Sequence, residues 1–434
     1  MSTFENDLAR LAAEGEAAYS AAVAPTDYEG TFVAGVRRVR RRRVAETASA
    51  LAVAAVAVVL GVYAVAGARG VDPIGEPSAS PTVPEPAGTE LWHASIGAEA
   101  WSTPVIVGDL VIAAGLNGTV SAFTLADGAP AWSTELGAEV RAPIVSDGAG
   151  AIVVDDSGKV SRIDAAGRVT WSADVAGDVS PRDTYTQTSA GVALDNGVAF
   201  LGTADGNAVA LEVSTGTVLW SVPLGTGVVA SGAVADGTVY LPGLDGSIHA
   251  LAAEDGRELW RSAAGDPIHS SPGVAAGVVI AGSRGTELLG LDATTGEQLW
   301  AVSFGTSWAE SSVEVAGDVA YVGSSGLGQV LAVDARTGAV EWRSKVGGWP
   351  WARPTYADGV VFASTSWTSS QQTPAGSLLA LTDSGGAAVW SERVGGPSSW
   401  PPDGFASGAM TSPAIGPGVV AVLALDGTLA VFAR

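Results

Sequence analysis

The chain has 434 residues and carries 22 Lys and Arg against 45 Asp and Glu, a formal net charge of −23 at pH 7. That charge repels a phosphate backbone and excludes nucleic acid as a partner. The complete absence of Cys excludes disulfides, thiolate metal sites and a Cys nucleophile.

In chain order, residues 1–43 come first. Phe4 to Ala22 reads as a modest helix, and a basic run follows Pro25: Arg37, Arg38, Arg40, Arg41, Arg42 and Arg43. Within residues 44–68, Thr47 to Ala66 holds no charged side chain. Twenty helical residues rise about 30 Å, the thickness of a bilayer core. Arginines on the N-terminal flank of such a span keep that end in the cytoplasm. The expectation is a single-pass transmembrane helix over 44–68, a short cytoplasmic tail over 1–43 and everything after it extracytoplasmic. A cleaved signal peptide is the alternative, and the forty residues ahead of the span argue against it. Residues 69–88, RGVDPIGEPSASPTVPEPAG, are Pro/Ser-rich and read as a semi-stiff linker.

From residue 89 the chain repeats itself. GLDATTGEQLW (290–300) has divergent copies at 122–132, 162–171, 210–220, 250–260, 332–342 and 380–390. The closing residues are Trp92, Trp132, Trp171, Trp220, Trp260, Trp300, Trp342 and Trp390, at spacings of 40, 39, 49, 40, 40, 42 and 48. A period near forty marks a propeller or a solenoid. Within one period, alternating apolar strands are parted by turns such as Ala276-Gly277 and Thr295-Gly296, which makes four strands per unit. Each closing Trp would wedge against the neighbouring blade.

The last unit stops one strand short at Arg434, and TELWHAS (89–95) is an outer strand without inner strands. Joining the two fragments predicts an all-β fold: an eight-bladed β-propeller of four-stranded blades over 89–434, closed by the N-terminal strand and preceded by one transmembrane helix. Closure removes exposed strand edges; an open array of seven repeats would keep them.

The repeat, Ala-x-Asp-x-x-Thr-Gly-x-x-x-Trp with Ser/Thr-Pro opening the inner strand, resembles the pyrroloquinoline-quinone-like (PQQ-like) propeller repeat. That family includes quinoprotein dehydrogenases, the outer-membrane assembly factor B and sensor domains of bacterial receptor kinases. The resemblance implies the fold; one propeller hosts many activities. Quinoprotein dehydrogenases carry a vicinal Cys pair at their cofactor, which this chain lacks, so the PQQ cofactor is disfavoured and none is expected.

The six remaining tryptophans, Trp101, Trp308, Trp349, Trp351, Trp367 and Trp400, fall in loops of one face: those entering a blade and those joining its second and third strands. They cluster in blades 6, 7, 8 and 1, which adjoin across the closure. Blades 2 to 5 place Arg141, Tyr185 and His269 there instead. Exposed aromatics with Arg mark recognition surfaces, and Glu310, Arg353 and Asp403 would supply the polar contacts. Structural plugging of the channel is the competing reading. No catalytic or metal motif is visible. Residues 89–434 carry 14 Lys and Arg against 35 Asp and Glu, net −21. The expected function is a non-catalytic binding scaffold for an envelope protein or cell-wall glycan; a quinone- or sugar-dependent enzyme and a sensor are the alternatives.

Overall fold

The computed structural model describes residues 85–175, 189–263, 265–283, 286–305, 311–368, 376–396 and 406–434. The expected tail, span and most of the linker lie outside these residues. No helix among the described residues is long and apolar enough to cross a membrane.

Eight four-stranded antiparallel sheets follow one another along the chain. Blades 1 to 7 occupy 105–135, 145–174, 193–223, 233–263, 273–303, 314–345 and 355–393. Blade 8 combines Ala414–Gly416, Val419–Leu423 and Thr428–Ala433 with Glu90–Ser95 from the other end of the repeat region. The register sets Trp92 opposite Val431 and Ser95 opposite Thr428. Gly88 N donates to Ala433 O at 2.8 Å, and Ala433 N donates to Thr89 O at 2.8 Å. The expected eight-bladed closure is what forms.

The hydrophobic core is distributed between blades. Phe200 packs with Val239, Leu241 and Leu251 of blade 4, while its neighbour Leu201 packs with Ile152, Val154 and Val160 of blade 2. Middle strands are therefore buried on both faces, as in Val198–Gly202 and Val278–Gly282. They read as continuous apolar runs. Outer strands do alternate, because one of their faces meets solvent.

In blade 1 and blades 3 to 7 the tryptophan sits just beyond a register shift, opposite Ala or Gly: Ala122 faces Trp132, Ala210 faces Trp220 and Gly290 faces Trp300. A β-carbon on Gly290 would lie 2.1 Å from Cε2 of Trp300, so only a hydrogen fits there. The indole reaches across to the next blade, where Nε1 donates to a turn carbonyl: Trp92 to Leu125 O at 2.9 Å, Trp220 to Ala253 O at 2.9 Å, Trp260 to Ala293 O at 3.0 Å. The wedge is apolar area plus one satisfied donor. Blade 2 departs from this pattern: Arg162 stands opposite Trp171 and its Nε donates to Asp147 at 2.6 Å.

Candidate functional site

In blades 1, 2 and 4 the loop entering the blade lies beside the loop joining the second and third strands of that same blade. Backbone bonds connect them: Leu116 N to Glu99 O at 2.8 Å, Asp156 N to Glu139 O at 2.8 Å, and Leu244 N to Gly227 O at 2.9 Å. Blade 7 makes the same link with both groups, Trp349 N to Ser366 O at 2.9 Å and Ser366 N to Trp349 O at 3.1 Å. Among the described residues this blade alone adds a further pairing. Its loop runs on as a short strand, Ser366–Thr368, paired antiparallel with Ala406–Gly408 ahead of blade 8, Trp367 opposite Ser407. The ribbon forms because a second extended segment lies alongside to take up its backbone groups.

Three of the predicted tryptophans meet here. The rings of Trp349 and Trp351 sit 6.3 Å apart at 70°, edge to face, a favoured aromatic geometry. The Trp367 indole covers the Gly347-Gly348 step: a β-carbon on Gly348 would fall 2.6 Å from its Nε1. All three are half-buried, as is Trp101 in the loop entering blade 1. Trp308, Glu310, Trp400 and Asp403, like Tyr185, lie outside the described residues. In the blade 2 loops, Arg141 pairs with Asp156 and Glu139, and Ser189 Oγ donates to Asp156 at 3.0 Å. His269 is half-buried in the loop entering blade 5.

Arg353, two residues beyond Trp351, does not join the aromatic group alone; it lines a cavity of about 560 Å³ on the ring axis, walled by the first strands of all eight blades. The wall is stitched by hydroxyls: Gly191 N donates to Ser231 Oγ at 3.1 Å, Ser271 N to Ser312 Oγ at 2.9 Å, and Ser412 N to Thr103 Oγ1 at 3.2 Å. Its charged residues are Glu314 and Arg353. Arg353 Nε lies 3.5 Å from Glu314 Oε2, and the other carboxylate oxygen accepts from Tyr356 N at 3.2 Å. Burial pushes the Glu314 carboxyl above its ordinary value, although Arg353 and the Tyr356 N–H act the other way. Sequence reasoning missed Glu314. The signal was present: its blade position holds Val105, Val145, Ala193, Ala233, Gly273, Thr355 and Ala414 in the other repeats, none charged.

The donor set does not fit the PQQ quinone. A quinone bearing several carboxylates needs cations, and the one guanidinium lining the cavity is already beside Glu314. Among the described residues no group of His, Cys, Asp and Glu could hold a metal ion, and the chain has no Cys.

Residues 82–227, 215–309 and 286–433 match the family described as outer membrane protein assembly factor BamB. The chain belongs to that family. BamB of Burkholderia pseudomallei is 31% identical over 135 residues, 30% of this chain and 33% of that protein. The dehydrogenase subunit of the quinone-dependent alcohol dehydrogenase of Gluconobacter oxydans is 40% identical over 67 residues, 15% of this chain and 9% of that protein. The matched part thus spans about a third or less of these curated relatives. BamB from Moraxella catarrhalis superposes with a TM-score of 0.61 at 20% identity, over 80% of this chain and all of that one. The quinohemoprotein alcohol dehydrogenase ADHIIG from Pseudomonas putida HK5 gives 0.60 at 14%, over 79% and 76%. At these identities the two structures speak to the fold.

Proposed function

We propose that this BamB-family propeller is a non-catalytic scaffold that grips an envelope protein through the face carrying Trp349, Trp351 and Trp367. The observation that carries this reading is the aromatic group in blade 7, assembled by a ribbon that adds surface on that side of the ring. Rigid aromatics at a solvent-facing surface supply contact area at small entropic cost. Relatives named as assembly factors support a protein partner over a glycan. Trp101, Trp308 and Trp400, with Glu310 and Asp403, would extend the same face. In this reading residues 44–68 tether the propeller outside the membrane and 1–43 remain in the cytoplasm.

Two measurements test it. In-cell crosslinking with mass spectrometry compares the wild type with the Trp349→Ala/Trp351→Ala variant; a specific protein adduct should disappear, and unchanged adducts would refute the aromatic face. The topology follows from Asp318→Cys, which places a single thiol on an exposed turn of a chain without Cys. A small membrane-impermeant maleimide should label it in cells whose inner membrane is intact. Labelling only after that membrane is lysed would refute the extracytoplasmic placement.

A further inference from the structure

The axial cavity has a chemistry that partner docking by the tryptophans does not use. Seven repeats place Thr103, Pro143, Gly191, Ser231, Ser271, Ser312 and Ser412 at one position of the channel wall; blade 7 places Arg353 there. An arginine in a ring of small residues projects into the lumen, and its side chain remains 48% exposed. Glu314, whose side chain is 18% exposed, approaches its Nε to 3.5 Å. Such a contact is longer than a charge-assisted hydrogen bond of about 2.8 Å, and no second carboxylate pairs with Arg353 among the described residues. A guanidinium offers five N–H donors in a planar fork, so one loose contact leaves most of its capacity unused. The surrounding wall is hydroxyl and apolar, with no other charged side chain.

We propose that the axial cavity is a binding site for a carboxylate group, taken up in bidentate fashion by Arg353, with Glu314 as the built-in counter-ion that the incoming group displaces. The volume of about 560 Å³ accommodates a small organic acid or the C-terminal residues of a peptide. Glu314 makes the site responsive to pH. The groups facing it are Arg353 and the Tyr356 N–H of blade 7; Gly273 on the blade 5 side brings no side chain, and every other residue lining the cavity is uncharged. Protonating Glu314 removes the competing negative charge, so occupancy rises as the pH falls.

The test is titration of the purified chain, read by tryptophan fluorescence and by calorimetry, with N-acetylglycine, its amide, and one tripeptide in free-acid and C-terminally amidated forms. At least one of the two acids should bind saturably and its amide should not. Binding of both acids, or of the peptide acid alone, identifies the source of the carboxylate within the same site. Glu314→Gln keeps an acceptor for Tyr356 N and should tighten binding at pH 7 at least fivefold while flattening its pH dependence. Arg353→Gln should abolish binding. Because it strands Glu314, the double variant Arg353→Gln/Glu314→Gln serves as the folded control and should also fail to bind. Equal binding of acid and amide, no binding of either acid, retention of binding in the double variant, or unchanged affinity in Glu314→Gln would each overturn the proposal. None of these variants alters Trp349 or Trp351, so failure here leaves the docking face to stand or fall on its own crosslinks.

Discussion

Gly88 lies against the indole of Trp390: a β-carbon on Gly88 would fall 2.8 Å from Cγ and 2.9 Å from Cδ2 of that ring, and its φ is +82°. Seven turn glycines make the same contact around the ring, among them Gly128 on Trp92 and Gly256 on Trp220. Gly88 is the eighth, supplied from ahead of the first strand, so the join between chain ends reproduces the seam between ordinary blades.

Gly88→Val is therefore expected to weaken the closure. Positive φ costs a non-glycine residue about 1 kcal/mol, and the clash with Trp390 adds to it. A total loss of about 2 to 3 kcal/mol should appear in urea unfolding. With the closing strand loosened, the edge of Thr428–Ala433 becomes available to other chains, and light scattering should rise on mild heating. Unchanged stability and scattering would mean that Glu90–Ser95 closes the ring without help from this seam.

The blade tryptophans separate into an apolar and a polar contribution. Trp260→Phe keeps most of the wedge and loses the bond to Ala293 O at 3.0 Å, for an expected loss of about 1 kcal/mol. Trp260→Ala should cost about 3 kcal/mol, because a cavity opens between blades 4 and 5. Similar losses in the two variants would mean that the indole hydrogen bond outweighs the apolar wedge.

Acid should destabilise the ring through its turns. Asp164 and Asp292 are held below the ordinary carboxyl value by backbone N–H groups of Arg168 and Thr295. The Thr124 and Thr337 hydroxyls, with backbone N–H groups, do the same for Asp127 and Asp334. A carboxyl lowered in the folded state contributes stability above its unfolded value of 3.8, and that contribution is lost as the pH falls below it. Melting temperatures measured from pH 5 down to 2.5 should fall steeply. The triple variant Asp164→Asn, Asp292→Asn, Asp334→Asn should fall less; parallel curves would contradict the role given to these turns.

Glu314 runs opposite. Its carboxyl is raised in the folded state, so its contribution is fully present below the unfolded value of 4.5 and is lost as the pH rises through the folded value. Glu314→Gln should melt higher than the wild type at pH 7, with the difference shrinking towards pH 4. A variant that melts lower at pH 7 would show that the Arg353 pair outweighs the burial of the charge.

The repeat makes the ring legible without any coordinates. A Trp every forty residues, a Gly in each turn and two complementary end fragments constrain local backbone and blade count, because those features act over a few residues and recur eight times. Stacking of the blades is legible for the same reason. The site is legible only in part: Trp349 and Trp351 are evident neighbours because two positions separate them, and the loop face follows from strand order.

Other features depend on residues far apart in the chain. The pairing of Trp367 with Ser407 joins segments forty residues apart that carry no shared motif. Glu314 and Arg353 meet because closing the ring turns successive first strands inward on one axis, where 39 residues of sequence shrink to 3.5 Å. Periodicity fixes what each repeat does within itself. What the unique residues of different repeats do to one another is fixed by packing, since burial and charge act through space and take no account of sequence distance.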